Sequence, residues 1–134
     1  MFKALVPMLA ALVLAGCATT RMSDAEKLAF YEAHAGEPVK DIRYRDPIGW
    51  DKVDDEHLLL TMRPDEVWLI EVSGPCLDYG SASPTIVIDA SFNRLSVGFD
   101  RIKVPGNPIS CRIEEIRPVD MAAVRDARDA MAAG

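Results

Sequence analysis

The sequence predicts an α+β domain that is mostly β. It reads as an antiparallel meander curled into a small barrel or roll, with an N-terminal helix and a short C-terminal helix. Three observations carry this. Short apolar runs, each closed by turn residues, follow one another from Val39 to Arg117, a spacing that favours consecutive antiparallel strands. Ser23 and Glu26 stand at capping-box spacing ahead of a helical pattern. Asp120 precedes an alanine-rich stretch able to form one more helix.

The first helix starts at Ser23 and runs to about Ala35, because Gly36 is a stop signal and Pro38 lies just beyond. Leu28, Tyr31 and Ala35 share one face, which packs on the domain. Val39 to Tyr44 is a weak strand and Asp46-Pro47-Ile48-Gly49 a turn. Leu58 to Met62 and Val67 to Val72 form the best hairpin, joined by Arg63-Pro64-Asp65-Glu66, where proline pre-sets the turn. Both strands are apolar at nearly every position, so they are expected to be central or buried on two faces. Ser73-Gly74-Pro75 breaks the chain before Cys76.

Thr85 to Asp89 is the next β run, turning through Ala90-Ser91-Phe92-Asn93 into Leu95 to Phe99. Leu95, Val97 and Phe99 are apolar at odd positions, whereas Ile102 and Val104 are apolar at even ones. One extra residue near Gly98-Phe99-Asp100, as a bulge or a tight bend, accounts for the change of phase. Pro105-Gly106-Asn107-Pro108 is a turn, and Cys111 to Arg117 is the last strand, ended by Pro118. Asp120 caps the final helix, which reaches about Met131 with Met121, Val124 and Met131 on one side.

The 134 residues carry a net charge of −6. An acidic chain gains nothing from a phosphate backbone, so no nucleic acid is expected among its partners. No cofactor motif is present. Asp51, Asp54, Asp55, Glu56 and His57 form an acidic cluster, but the spacing matches no calcium loop, and it reads as a solvated loop. His34 and His57 lack zinc-site spacing and read as surface or helix-end residues. Ser73-Gly74-Pro75 is not a nucleophile elbow. The sequence therefore gives no catalytic and no metal-binding residues.

Arg43-Tyr44-Arg45 puts two arginines on one side of a strand, a candidate contact for an anion or a carboxylate. Trp68 lies in the most apolar strand and is expected in the core. Trp50, between Gly49 and charged residues, is the candidate aromatic contact.

The chain begins with one basic residue, Lys3, and an apolar stretch from Ala4 to Ala15. This is shorter than the ~20 residues that cross a bilayer and has the form of a cleaved signal peptide. The run Leu14-Ala15-Gly16-Cys17 that ends it resembles the lipobox of bacterial lipoprotein precursors. The resemblance implies removal of residues 1–16 and a diacylglycerol, with a further acyl chain such as palmitate, on Cys17. Two or three chains anchor firmly where one does not. Residues 17–22 then form a lipidated tether reaching at most ~18 Å, and 23–134 a single periplasmic domain. Ala18, in place of the aspartate that retains enteric-type lipoproteins in the inner membrane, leans towards the periplasmic face of the outer membrane of a Gram-negative bacterium.

Loss of Lys3 with the leader takes the net charge from −6 to −7. Membrane attachment is therefore expected through the covalent lipid on Cys17 and not through a basic patch. Cys76 and Cys111 remain as an even pair in an oxidising compartment, and a disulfide between them is expected. Such a bond fits if the Val67 strand lies beside the Cys111 strand, which would curl the sheet.

Val67-Trp68-Leu69, Gly74-Pro75-Cys76, Phe99-Asp100-Arg101-Ile102 and the stretch from Cys111-Arg112-Ile113 to Ile116-Arg117-Pro118 are similar to a family of small uncharacterised bacterial lipoproteins. That resemblance implies one intact domain with paired cysteines and no assigned activity. The first expectation is thus a non-catalytic, membrane-anchored periplasmic binding or envelope accessory module. Its partner is an envelope protein or small ligand, recruited by β-augmentation at the edge around Arg43 to Arg45. The alternatives are a thiol-redox or soft-metal-handling protein using Cys76 and Cys111, and a hydrolase whose site forms only on folding, around His34 or His57.

Overall fold

A computed structural model describes residues 22–77 and 85–133; the leader, Cys17 and the tether up to Arg21 lie outside the described residues. The elements are α1 (Asp24–Ala33), β1 (Asp41–Arg43), β2 (Gly49–Lys52), β3 (His57–Arg63), β4 (Glu66–Val72), β5 (Val87–Asp89), β6 (Arg94–Ser96), β7 (Arg101–Lys103), β8 (Ser110–Val119) and α2 (Met121–Ala133). The α+β, mostly β class is as expected, with every strand pair antiparallel.

Six strands form one sheet in the order β2-β3-β4-β8-β7-β5, and β1 pairs with β6 as a separate ribbon. The sheet curls into a half-barrel. Alternation along β3 and β4 explains why both are apolar throughout. Leu58, Leu60, Ile70 and Val72 face the concave core, which the ribbon closes with Ile42 and Leu95. Leu59, Val67 and Leu69 face the convex side, beneath Tyr31 of α1 and Val124 of α2. The hairpin is thus buried on both faces.

α1 is capped as its sequence dictates: Ser23 Oγ accepts from the Glu26 N–H at 3.2 Å. It ends at Ala33, not Ala35, because Ala35 already bridges to Val119 at the sheet. α2 is capped by Asp120, whose Oδ1 accepts from the Ala123 N–H at 3.1 Å. Val124 is fully buried as expected, whereas Met131, expected on the same side, is exposed in the last turn.

Pro118 does not end the last strand. It sits inside β8, opposite Trp68 of β4. The Pro118 carbonyl accepts from the Gly36 N–H at 2.8 Å, and the Ile116 carbonyl accepts from Val39 at 2.8 Å. The nitrogen and carbonyl of one strand residue point the same way, so the missing N–H of Pro118 faces the segment 35–39 and costs no bond to β4. Gly36 permits the approach, since a Cβ there would stand 3.1 Å from Pro118 Cγ.

Three further expectations are corrected. Residues 49–52 form strand β2, so Asp51 belongs to a strand and not to a loop. β5 and β6 are consecutive but not paired: β5 joins β7, and β6 joins β1. The side chain of His57 is 14% exposed, which removes it from the surface class. The change of phase resolves as a tight bend after Ser96, where Gly98 takes φ of 83°.

Candidate functional site

β2 and β5 are the two edges of the curled sheet, and they flank one cleft. Trp50 and Gly49 come to it from β2, Ile88 from β5, with Ile86 and Thr85 just ahead, and Tyr44 and Pro47 from the link between β1 and β2. Leu60 of β3 forms the floor. The cavity holds about 300 Å³, the lower end of the range for small-ligand sites. Trp50 points into it because it alternates with Asp51 along β2, and Leu60 lies opposite it in register. Tyr44 points inward because Arg43 and Arg45, its neighbours in an extended stretch, are both exposed. Burial, followed by the negative charge of Asp46, raises the Tyr44 pKa above the usual 10.0.

Of the sequence candidates, Trp50 is therefore at the cleft, and the two arginines are not in it. Arg43 lies directly opposite Arg94 across the ribbon, and Arg94 is ion-paired to Asp41. Arg45 is exposed beyond the end of β1. Trp68 is half-buried against the concave core, its indole N–H donating to Glu66 at 3.2 Å.

Cys76 and Cys111 are joined, with Cα atoms 5.9 Å apart. Both are buried. β4 lies beside β8, the neighbour relation that the bond requires. The acidic cluster is spent locally: Asp54 Oδ1 accepts from the Glu56 N–H and from His57 Nδ1, each at 2.8 Å, and Lys52 pairs with Asp55 at 2.8 Å. Among the described residues, no group of three or more His, Cys, Asp or Glu is arranged to hold a metal ion. His57 lies between Asp54 and Glu71, and His34 caps α1 with its ring on the Phe30 carbonyl at 2.7 Å. Neither histidine lines the cleft.

The family scan covers the whole chain, residues 1–134. The chain belongs to the DUF6491 family. The family model carries the description of a family of unknown function. No curated protein and no solved structure matches the chain.

Sequence reasoning missed the exposure of two aromatic residues among the described residues of this DUF6491 protein. Phe92 is 98% exposed and Phe99 85% exposed. Phe92 and Asn93 have φ of 56° and 59°, and the Arg94 N–H donates to the Ser91 carbonyl at 3.1 Å. Positive φ at both central residues is the geometry of a type I′ turn, which favours Asn-Gly and strains a phenylalanine. The available signal was the Phe-Asn pair between two apolar runs. Asp100, 4% exposed, holds this region together: Oδ1 accepts from Ser91 Oγ at 3.1 Å and Oδ2 from the Ser96 N–H at 2.7 Å.

Proposed function

We propose that the chain is a lipid-anchored envelope protein, held by acyl groups on Cys17 at the periplasmic face of the outer membrane, which acts by binding and not by catalysis. The cleft between β2 and β5 is its binding site. The observation that carries the reading is the position of Trp50 and Tyr44, two half-buried aromatic side chains at an apolar cleft between the edges of the sheet. The amphipathic rings of Tyr and Trp supply contact area at a binding site. The lipid anchor is supported by the Leu14-Ala15-Gly16-Cys17 run. No helix among the described residues is long and apolar enough to cross a membrane.

Two measurements test the two halves separately. Mass spectrometry of protein extracted from membranes is expected to give a chain that starts at an acylated Cys17; an intact leader would sink the anchoring half. A photoreactive phenylalanine analogue at position 50, activated in cells, is expected to give a discrete adduct, while the same group at the exposed Glu114 gives none. Failure to trap anything at position 50 would sink the cleft.

A further inference from the structure

The entry of the chain into α1 and the last turn of α2 meet. Met22, just ahead of the Ser23 cap, and Met131 of α2 line one groove of about 410 Å³ together with Phe30 of α1. Both methionines reach solvent: Met22 is 38% exposed and Met131 55% exposed. Val124, about two turns earlier on the same side of α2, is fully buried, so the helix leaves the core before Met131. The rim of the groove is basic. Arg128 donates to the Tyr31 hydroxyl, its guanidinium 5.8 Å from the centre of that ring, and Lys27 donates to the Lys52 carbonyl. Asp24 is the carboxylate among the lining residues. Exposed apolar side chains edged by cations suit the headgroup layer of a bilayer.

The place of this face along the chain names its occupant. Cys17 stands five residues before Met22, a stretch that reaches at most ~18 Å. With acyl groups on Cys17, the bilayer surface lies within that distance of Met22. We propose that the face formed by Met22, Phe30 and Met131 docks on the bilayer that holds those acyl groups. The domain then stands with the start of α1 and the end of α2 against the membrane. This inference rests on the acylation of Cys17 and adds the orientation that the anchored domain takes. The apolar contact is small and the net charge of −6 repels anionic lipid, so the face does not hold a membrane alone. The anchor makes the docking intramolecular, and at that effective concentration a weak contact suffices.

The test places an environment-sensitive dye on Met131→Cys in the full chain purified from membranes and reconstituted into phosphatidylcholine vesicles. Cys76 and Cys111 are joined and Cys17 is acylated, so the new thiol is the one that takes the dye. Doxyl-labelled phosphatidylcholine in the same vesicles is expected to quench this dye several-fold more than one on Phe92→Cys, a position 98% exposed and outside the groove. Met22→Asp, at an exposed position, is expected to lower the quenching at 131 with acylation unchanged. With Cys17→Ser the quenching at 131 is lost. A vesicle-bound, acylated chain whose dye at 131 stays in water overturns the docking and leaves the anchor standing. Equal quenching at 92 and 131, or indifference to Met22→Asp, also overturns it. So does a dye at 131 that is shielded from water but not quenched by lipid, because the groove is then covered by the chain itself. Mass spectrometry of the same sample that finds Cys17 unacylated removes the anchor and this inference together.

Discussion

Ser91 Oγ donates to Asp100 Oδ1 across nine positions of the chain, at 3.1 Å. The same carboxylate accepts from the Ser96 N–H at 2.7 Å, and the Asp100 carbonyl accepts from Ile113 of β8 at 3.0 Å. One buried residue thus closes the β6 excursion on itself and ties it to the sheet. Phe92 follows Ser91, and Phe99 precedes Asp100, so both exposed rings are held by this link.

Asp100→Ala therefore leaves the half-buried Ser96 N–H and the Ser91 hydroxyl without their acceptor. The expected loss is about 2–3 kcal/mol in denaturant unfolding. Asp100→Asn keeps one acceptor oxygen for Ser96 and an amide that donates to Ser91, so it loses less than half as much. Equal losses in the two variants would show that the carboxylate acts through its charge and not through these bonds.

The Cys76–Cys111 bond spans a sequence separation of 35 and fastens the loop after β4 to the start of β8. The loop-entropy relation gives it about 3.5–4 kcal/mol. Replacing both cysteines by serine is expected to remove that much stability or more, since two hydroxyls would enter a buried site. Thermal unfolding of this variant beside the reduced and oxidised wild type is the check; a reduced wild type that melts with the oxidised form would sink it.

Tyr44 sets a pH dependence. Burial, with a smaller contribution from Asp46, places its folded pKa above the unfolded value near 10. A raised phenol pKa means that folding favours the protonated form. The stabilisation is complete below the unfolded pKa and is lost as pH rises through it towards the folded pKa. Phenolate absorbance at 295 nm is expected to show one tyrosine titrating late, and Tyr44→Phe to abolish that phase. Asp46→Asn should move the phase down only in part, because burial is the larger cause. A late phase that survives Tyr44→Phe would assign it elsewhere.

Much of this architecture was legible because local signals agreed with tertiary ones. Ser23 and Glu26 set the start of α1, and the doubly apolar β3–β4 hairpin announced its central place. The even cysteine pair fitted a β4–β8 neighbourhood, and that pair lies at the centre of the sheet. What was not legible depended on long-range pairing. β1 and β6 are three residues each and find partners only in each other, more than fifty positions apart. Pro118 is tolerated because its missing donor faces the segment 35–39, a fact no local pattern carries. The cleft was half legible: Trp50 stood out by its polar neighbours, but Tyr44, Ile86 and Ile88 reach it from other elements. Arg43 and Arg45 alternate as expected, and the same alternation turns Tyr44, not the arginines, inward.

The strain at Phe92 has a measurable counterpart. The type I′ turn from Ser91 to Arg94 asks for positive φ at both central positions, and phenylalanine holds φ of 56° at the first. A bulky side chain in that region costs about 1–2 kcal/mol, whereas asparagine adopts it readily. Phe92→Asn is therefore expected to stabilise the isolated domain by about 1 kcal/mol, since almost none of the ring's surface is covered by the fold. Stability gained on removing the phenyl ring would mean that the ring is not kept for folding, the usual trade between stability and function. Denaturant unfolding midpoints of the variant and the wild type decide it. A Phe92→Asn chain that is less stable than wild type would show that the ring packs within its own domain.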